Sequence, residues 1–305
     1  MLRKIAYAGT FFALVATATV IGCGGDDTVS RPDFASNSDG GPTGDLAGAD
    51  LSVNNVMYTN ATPNQVDTNT IGGQFGKGAA VKLSGLIVLA PPTSFTAKSG
   101  TQCKYEVWAQ DPSCTTAPCG LVIVTQPIPL PSGSTFCPFA KDTATALKDV
   151  WKGDKITVSG LVDTFAATAT APATGTVVQH EVIIDTLVQD AKNQTLPNPM
   201  VVTDTTPSKF VPYSGTGWAM YEGTYITLKA ASGKLTTSAL DTRGGWTTSP
   251  GGASFADTYN SFFRPDGGLA NMWPPEGTMY TSISAIVGLT FGGQLLPTQN
   301  SDFVP

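Results

Sequence analysis

Three stretches of the chain, residues 81–88, 153–165 and 280–288, alternate apolar residues with small or polar ones and are rich in β-branched side chains. A period of two is the mark of half-buried strands. Gly85 and Gly160 interrupt the first two stretches, and a missing Cβ inside a strand permits a bulge or a sharp coil. Strands that bend so hard belong to small closed barrels. The surrounding pattern predicts strands over residues 79–90, 103–111, 120–126, 155–166 and 176–189. A loop is expected over 91–102 and one short helix over 140–150.

Five strands with a helix between the third and fourth is the order of the OB-fold, a five-stranded Greek-key barrel. Residues 83–87, 107–111, 120–123 and 152–162 also resemble the OB-type modules of secreted bacterial proteins, several of which accompany extracellular nuclease or phosphatase domains. Residues 196–202 look like the exit segment of those modules. A diverged second copy follows: 221–228 resembles an opening strand, 255–263 an internal strand, and 282–287 the glycine-type strand with Ala285 in the glycine's place; 295–303 resembles the closing segment. The expected architecture is mainly β, two tandem OB-like barrels over 77–205 and 206–305, with one larger mixed β domain as the alternative. No accompanying nuclease or phosphatase domain is found in these residues.

Composition extends this picture. Only 13% of the 305 residues are charged, while Gly (33) and Pro (22) supply turns. The formal charge of −6 is concentrated before the barrels: between residues 24 and 76, seven Asp face Arg31 alone. Each expected barrel is then near −1, so neither offers the positive field that phosphate binding uses. Residues 24–66 lack an apolar period and read as a disordered tether, part of a lipidated linker over 23–76. Some forty flexible residues span roughly 35–40 Å.

Residues 1–4 form a basic start, 5–21 an apolar run, and Val20, Ile21 and Gly22 lead into Cys23. This resembles the lipobox of bacterial lipoproteins. The resemblance implies a signal peptide over 1–22, cleavage before Cys23 and acylation of its thiol, which anchors the chain on a membrane. Gly24 and Gly25 in place of an Asp imply the outer membrane. An uncleaved transmembrane anchor is the alternative, although the run is short of the ~20 residues that a span requires. The other cysteines, Cys103, Cys114, Cys119 and Cys137, are even in number and read as two disulfides with three connectivities open. Cys114–Cys119 with Cys103–Cys137 is the favoured set; a four-cysteine zinc site lacks its usual CxxC knuckles.

Catalytic signals are weak. His180 is the only histidine and reads as an outward residue of the first barrel's last strand. No GxSxG elbow, HExxH pair or DxDxDG run occurs, so no enzyme activity, metal or cofactor is expected. Glu106 and Asp111 sit at strand and turn positions, and Asp111 before Pro112 reads as a turn residue. OB barrels bind ligands on strands two and three and the adjoining loops. That places a candidate binding surface at Phe95, Lys98, Lys104, Tyr105 and Trp108, with the loop over 167–173. Alternation sends Tyr105 and Trp108 to opposite faces, and the core is the favoured place for Trp108. In the second barrel Trp246, Tyr259, Phe262 and Trp273 are candidates for a sugar-binding surface. The expected function is a non-enzymatic, lipid-anchored envelope protein that binds a protein or glycan. The weak positive field disfavours the alternative, a nucleic-acid binder assisting an extracellular nuclease.

Overall fold

The computed structural model describes residues 56–67, 73–96, 101–134, 137–166, 178–204, 209–212, 216–239, 245–256, 275–289 and 293–305. Cys23, Lys98 and the loop over 167–173 lie outside them.

The first barrel is built from β1 (Ala80–Val88), β2 (Gln102–Gln110), β3 (Gly120–Val124), β4 (Lys155–Ala166) and β5 (Val178–Ala191). β1 pairs antiparallel with both β4 and β2, β2 with β3, and β4 with β5, while β3 runs parallel to β5. That circuit closes on itself and is the strand order of the OB-fold. Gly85, at φ +73°, lies in the register shift between Leu83 and Leu86, and a second shift falls between Ser159 and Gly160. Both interruptions therefore act as bends that close the sheet. Alternate residues fill the barrel: Leu83, Tyr105, Val107, Ile123, Val158 and Val182 are among its buried core.

The second barrel repeats the circuit with shorter, broken strands. β6 (Met200–Asp204) precedes it. Its first strand is split into β7 (Tyr225–Ala230) and β8 (Leu235–Thr237), followed by β9 (Trp246–Ser249) and β10 (Ser254–Phe255). Its fourth is split into β11 (Met279–Tyr280) and β12 (Ser282–Gly288), and β13 (Gln294–Leu296) closes the barrel. β7 pairs with β12 and β8 with β11 and β9, all antiparallel; β9 pairs with β10 and β12 with β13 in the same sense, while β10 runs parallel to β13. Each barrel also carries an extra strand parallel to its first: Thr59–Ala61 beside β1, and β6 beside β7. A helical turn follows each, Pro63–Val66 and Gly217–Met220. The duplicated unit is thus strand, helical turn, barrel.

Four expectations change. Residues 56–67, read as tether, form the Thr59–Ala61 strand and a helical turn whose Val66 is buried in the first core; three paired residues are too short to leave a period. β6 belongs to the second barrel rather than ending the first. The expected loop after β1 contains the strand Thr93–Thr96, paired with β2. The helix expected over 140–150 is a single 3-10 turn, Ala140–Asp142. There Thr143 Oγ1 donates to the Ala140 carbonyl at 2.6 Å and meets Thr145 Oγ1 at 3.1 Å, a local bonding choice that competes with helix propagation. Leu147 and Val150 remain buried. Of the strand expected over 255–263, Phe255 lies in β10, and the part beyond residue 256 is outside the described residues.

Candidate functional site: an exposed aromatic platform and a buried acid–base triad

The outer face of β2 and β3 is the OB ligand face, and in this chain the second barrel sits on it. Trp108, Val122 and Val124 pack with Leu89 and Ala90 against Tyr225, Ala256, Ile286 and Leu296. Polar contacts close the seam around them. Cys119 donates its backbone N–H to Thr224 Oγ1 at 2.9 Å, Tyr225 to Gln110 Oε1 at 2.7 Å, and Leu289 to Gln179 Oε1 at 3.2 Å. Lys152 Nζ reaches Thr298 Oγ1 at 3.0 Å and Gln299 Oε1 at 2.6 Å.

The surface expected from sequence is therefore not assembled. Tyr105 points into the barrel core, Trp108 is buried in the seam, Phe95 is half-buried against the same cluster, and Lys104 is buried. Trp246, expected in a sugar-binding surface, stacks on Phe255 at 4.1 Å inside the second barrel; Tyr259, Phe262 and Trp273 lie outside the described residues. Asp111 is the turn residue it was expected to be, accepting from Ser113 N–H at 2.8 Å and Ser113 Oγ at 2.7 Å. The disulfides join Cys103 to Cys137 and Cys114 to Cys119.

Buried charge lies beside the covered face. Burial pushes the Glu106 carboxyl up to about 7, against the hydrogen bond from Thr93 Oγ1 at 3.2 Å. Burial likewise pushes Glu181 up to about 7; Lys104 opposes the shift, and Asp163 and Glu106 reinforce it. Folded Glu106 thus holds a proton that the unfolded chain gives up near pH 4.5, so its stabilising contribution is complete below that pH and lost as pH rises through about 7. At ~1.4 kcal/mol per pKa unit the loss is at most about 3.5 kcal/mol. Urea unfolding across that window should show stability falling with rising pH, and Glu106→Gln should flatten the fall; an unchanged slope in the variant would absolve this carboxyl.

The connection between β3 and β4 carries an exposed platform. Phe139 and Trp151 are 60% and 52% exposed. With Pro92, Leu147 and Val150 they line a cavity of about 210 Å³, flanked by Lys141 and Lys148. Lys141 Nζ stands 6.0 Å from the Phe139 ring centre. The short helix expected over 140–150 leaves both rings just outside its ends, each near a lysine in the sequence, which is the signal that marks them.

His180 does not face outward. It shares the inward face of β5 with Val182 and Ile184 and meets carboxylates from two other segments. Its Nδ1 lies 2.9 Å from Glu222 Oε2 and 3.5 Å from Asp67 Oδ1, and its backbone N–H donates to Glu222 Oε1. Burial disfavours a charge on the imidazole, but the Glu222 hydrogen bond and the charges of Glu222 and Asp67 outweigh it and hold the ring above its ordinary range.

With this geometry in view, no protein-family profile and no curated protein sequence matches the chain. Similar solved structures include two single-stranded DNA-binding (SSB) folds. The SSB domain of a protein from Synechococcus sp. is 14% identical, covering 37% of this chain and 96% of that one with a TM-score of 0.22. A small single-stranded DNA-binding protein from Streptomyces coelicolor is 10% identical, covering 39% of this chain and 98% of that one with a TM-score of 0.24. The OB assignment rests on the strand circuit itself.

Proposed function

We propose that this chain is a non-enzymatic, lipid-anchored protein of a bacterial cell envelope that binds single-stranded nucleic acid through the Phe139–Trp151 platform. The carrying observation is two exposed rings beside Lys141 and Lys148, over an apolar floor, on a molecule whose usual OB face is occupied by its own second barrel. Flat rings stack on bases whatever the sequence, and neighbouring cations meet the phosphates between them. The near-neutral balance of the whole barrel disfavours such a ligand, and Lys148 already stands 3.8 Å from Asp149, so the stacking rings rather than net charge carry the reading. The anchor is supported by the sequence around Cys23 alone, and mass spectrometry of the native protein for acyl chains on that residue tests it.

A fluorescent oligothymidylate titrated into the purified protein at about 50 mM salt should bind, and binding should weaken as salt rises. Trp151→Ala should weaken it by about 1–3 kcal/mol, the usual worth of one base–aromatic stack. Replacing Lys141 and Lys148 together should lower the salt slope by about 1.4, at ~0.7 per phosphate contact on a single strand. No binding at the low salt, or binding indifferent to Trp151→Ala, would overturn the reading. A second reading, a glycan on the same rings, is favoured by the apolar floor of Leu147, Val150 and Pro92. Salt-insensitive binding of a soluble oligosaccharide, lost in Trp151→Ala, would establish it.

A further inference from the structure

Asp67 follows the first helical turn, His180 lies on β5, and Glu222 precedes β7 in the second unit; all three are at most 3% exposed. They are 113 and 42 residues apart along the chain, yet one donor atom from each falls within 4.8 Å of the other two. Around a divalent ion held by nitrogen and oxygen at about 2.0–2.1 Å, tetrahedral neighbours stand roughly 3.3–3.4 Å apart. The spacings from His180 Nδ1, 2.9 Å to Glu222 Oε2 and 3.5 Å to Asp67 Oδ1, bracket that edge. Glu222 is also oriented in advance, because its other oxygen accepts the His180 backbone N–H; such outer support is what metal-binding carboxylates require.

We propose that Asp67, His180 and Glu222 form a binding site for one divalent transition-metal ion, which ties the first barrel to the second. Two ionised carboxylates and a neutral imidazole together carry two negative charges, matching a dication. On binding, the Nδ1 proton leaves to solvent, and the bond from Nδ1 to Glu222 is replaced by one bond from each to the metal. The mixed nitrogen and oxygen set suits zinc or manganese better than thiolate-seeking ions. The cysteines of the barrels do not compete, being paired in disulfides. This inference is independent of the platform and its ligand.

The test uses the full chain, stripped with EDTA and titrated with zinc chloride. Calorimetry and metal analysis should find one equivalent per chain, and the melting temperature should rise. Because the chain holds a single histidine, its imidazole resonances report directly: they should move on loading and return with EDTA. Glu222→Gln, which keeps the shape of the side chain, and His180→Ala should each lose the equivalent. Failure of the stripped wild-type chain to take up zinc in tenfold excess, or uptake that leaves the histidine signals in place, would overturn the proposal even if neither variant folds.

Discussion

Gly223→Ala is expected to undo the docking of the two barrels and to lower stability more than any other single change considered. Gly223 holds φ at +64°, and a Cβ there would overlap the backbone of Gly120 and come within 2.5 Å of the Leu121 nitrogen. Nothing in that contact can rotate aside, since both sides are main chain. Gly120 opens β3, while Gly223 donates its N–H to the Val287 carbonyl at 2.8 Å. The cost combines a left-handed backbone at about 1–2 kcal/mol with overpacking of about 1–3 kcal/mol or more. If the seam opens instead, Trp108 loses its cover and the triad is pulled apart. Gly233→Ala is the matched control, with φ at +96° and nothing within 4 Å of the added atom. In urea, Gly233→Ala should lose only the ~1–2 kcal/mol of the left-handed backbone, whereas Gly223→Ala should lose a further ~1–3 kcal/mol or more from the overlap or split the transition in two. Equal shifts would mean that the close approach contributes nothing.

The Gly120–Gly223 approach illustrates what could and could not be read in advance. A strand's alternation is a local property, so it delimits residues 155–166 and, with the interrupting glycines, marks the two bends at Gly85 and Gly160. Alternation also separates Tyr105 from Trp108. It says which face a residue takes but not what will lie against that face, and Trp108 is covered by residues more than a hundred positions away. The triad was hidden for the same reason: Asp67, His180 and Glu222 become neighbours only after two barrels close and dock. Phe139 and Trp151 escape by another route, since the threonine hydroxyls at 143 and 145 take local bonds in place of the short helix expected over 140–150. Split strands such as β7 with β8 are too short to leave a period, although their opening and closing segments still resembled an OB module.

The Cys103–Cys137 disulfide should contribute about 4 kcal/mol and Cys114–Cys119 about 2 kcal/mol, because loop-closure entropy grows with the span of chain removed from the unfolded ensemble. The two bonds span 34 and 5 residues. Position adds to length. Cys103 is fully buried in the first core, so its bond to Cys137 fastens the long β3–β4 connection to the barrel just before the platform begins at Phe139. The Cys103→Ala/Cys137→Ala double variant should therefore lose stability and also weaken whatever ligand the platform holds, because both rings then sit on a looser segment. Cys114→Ala/Cys119→Ala should lose about half as much stability and leave binding unchanged, since its loop tips the β2–β3 hairpin and none of its residues lines the platform. Alanine at 103 also leaves a cavity, which reduction of the wild-type protein does not. Comparing urea midpoints for the reduced wild-type chain and both variants separates the cross-link from the packing. Equal losses from the two pairs would show that native geometry, rather than chain entropy, governs their contribution.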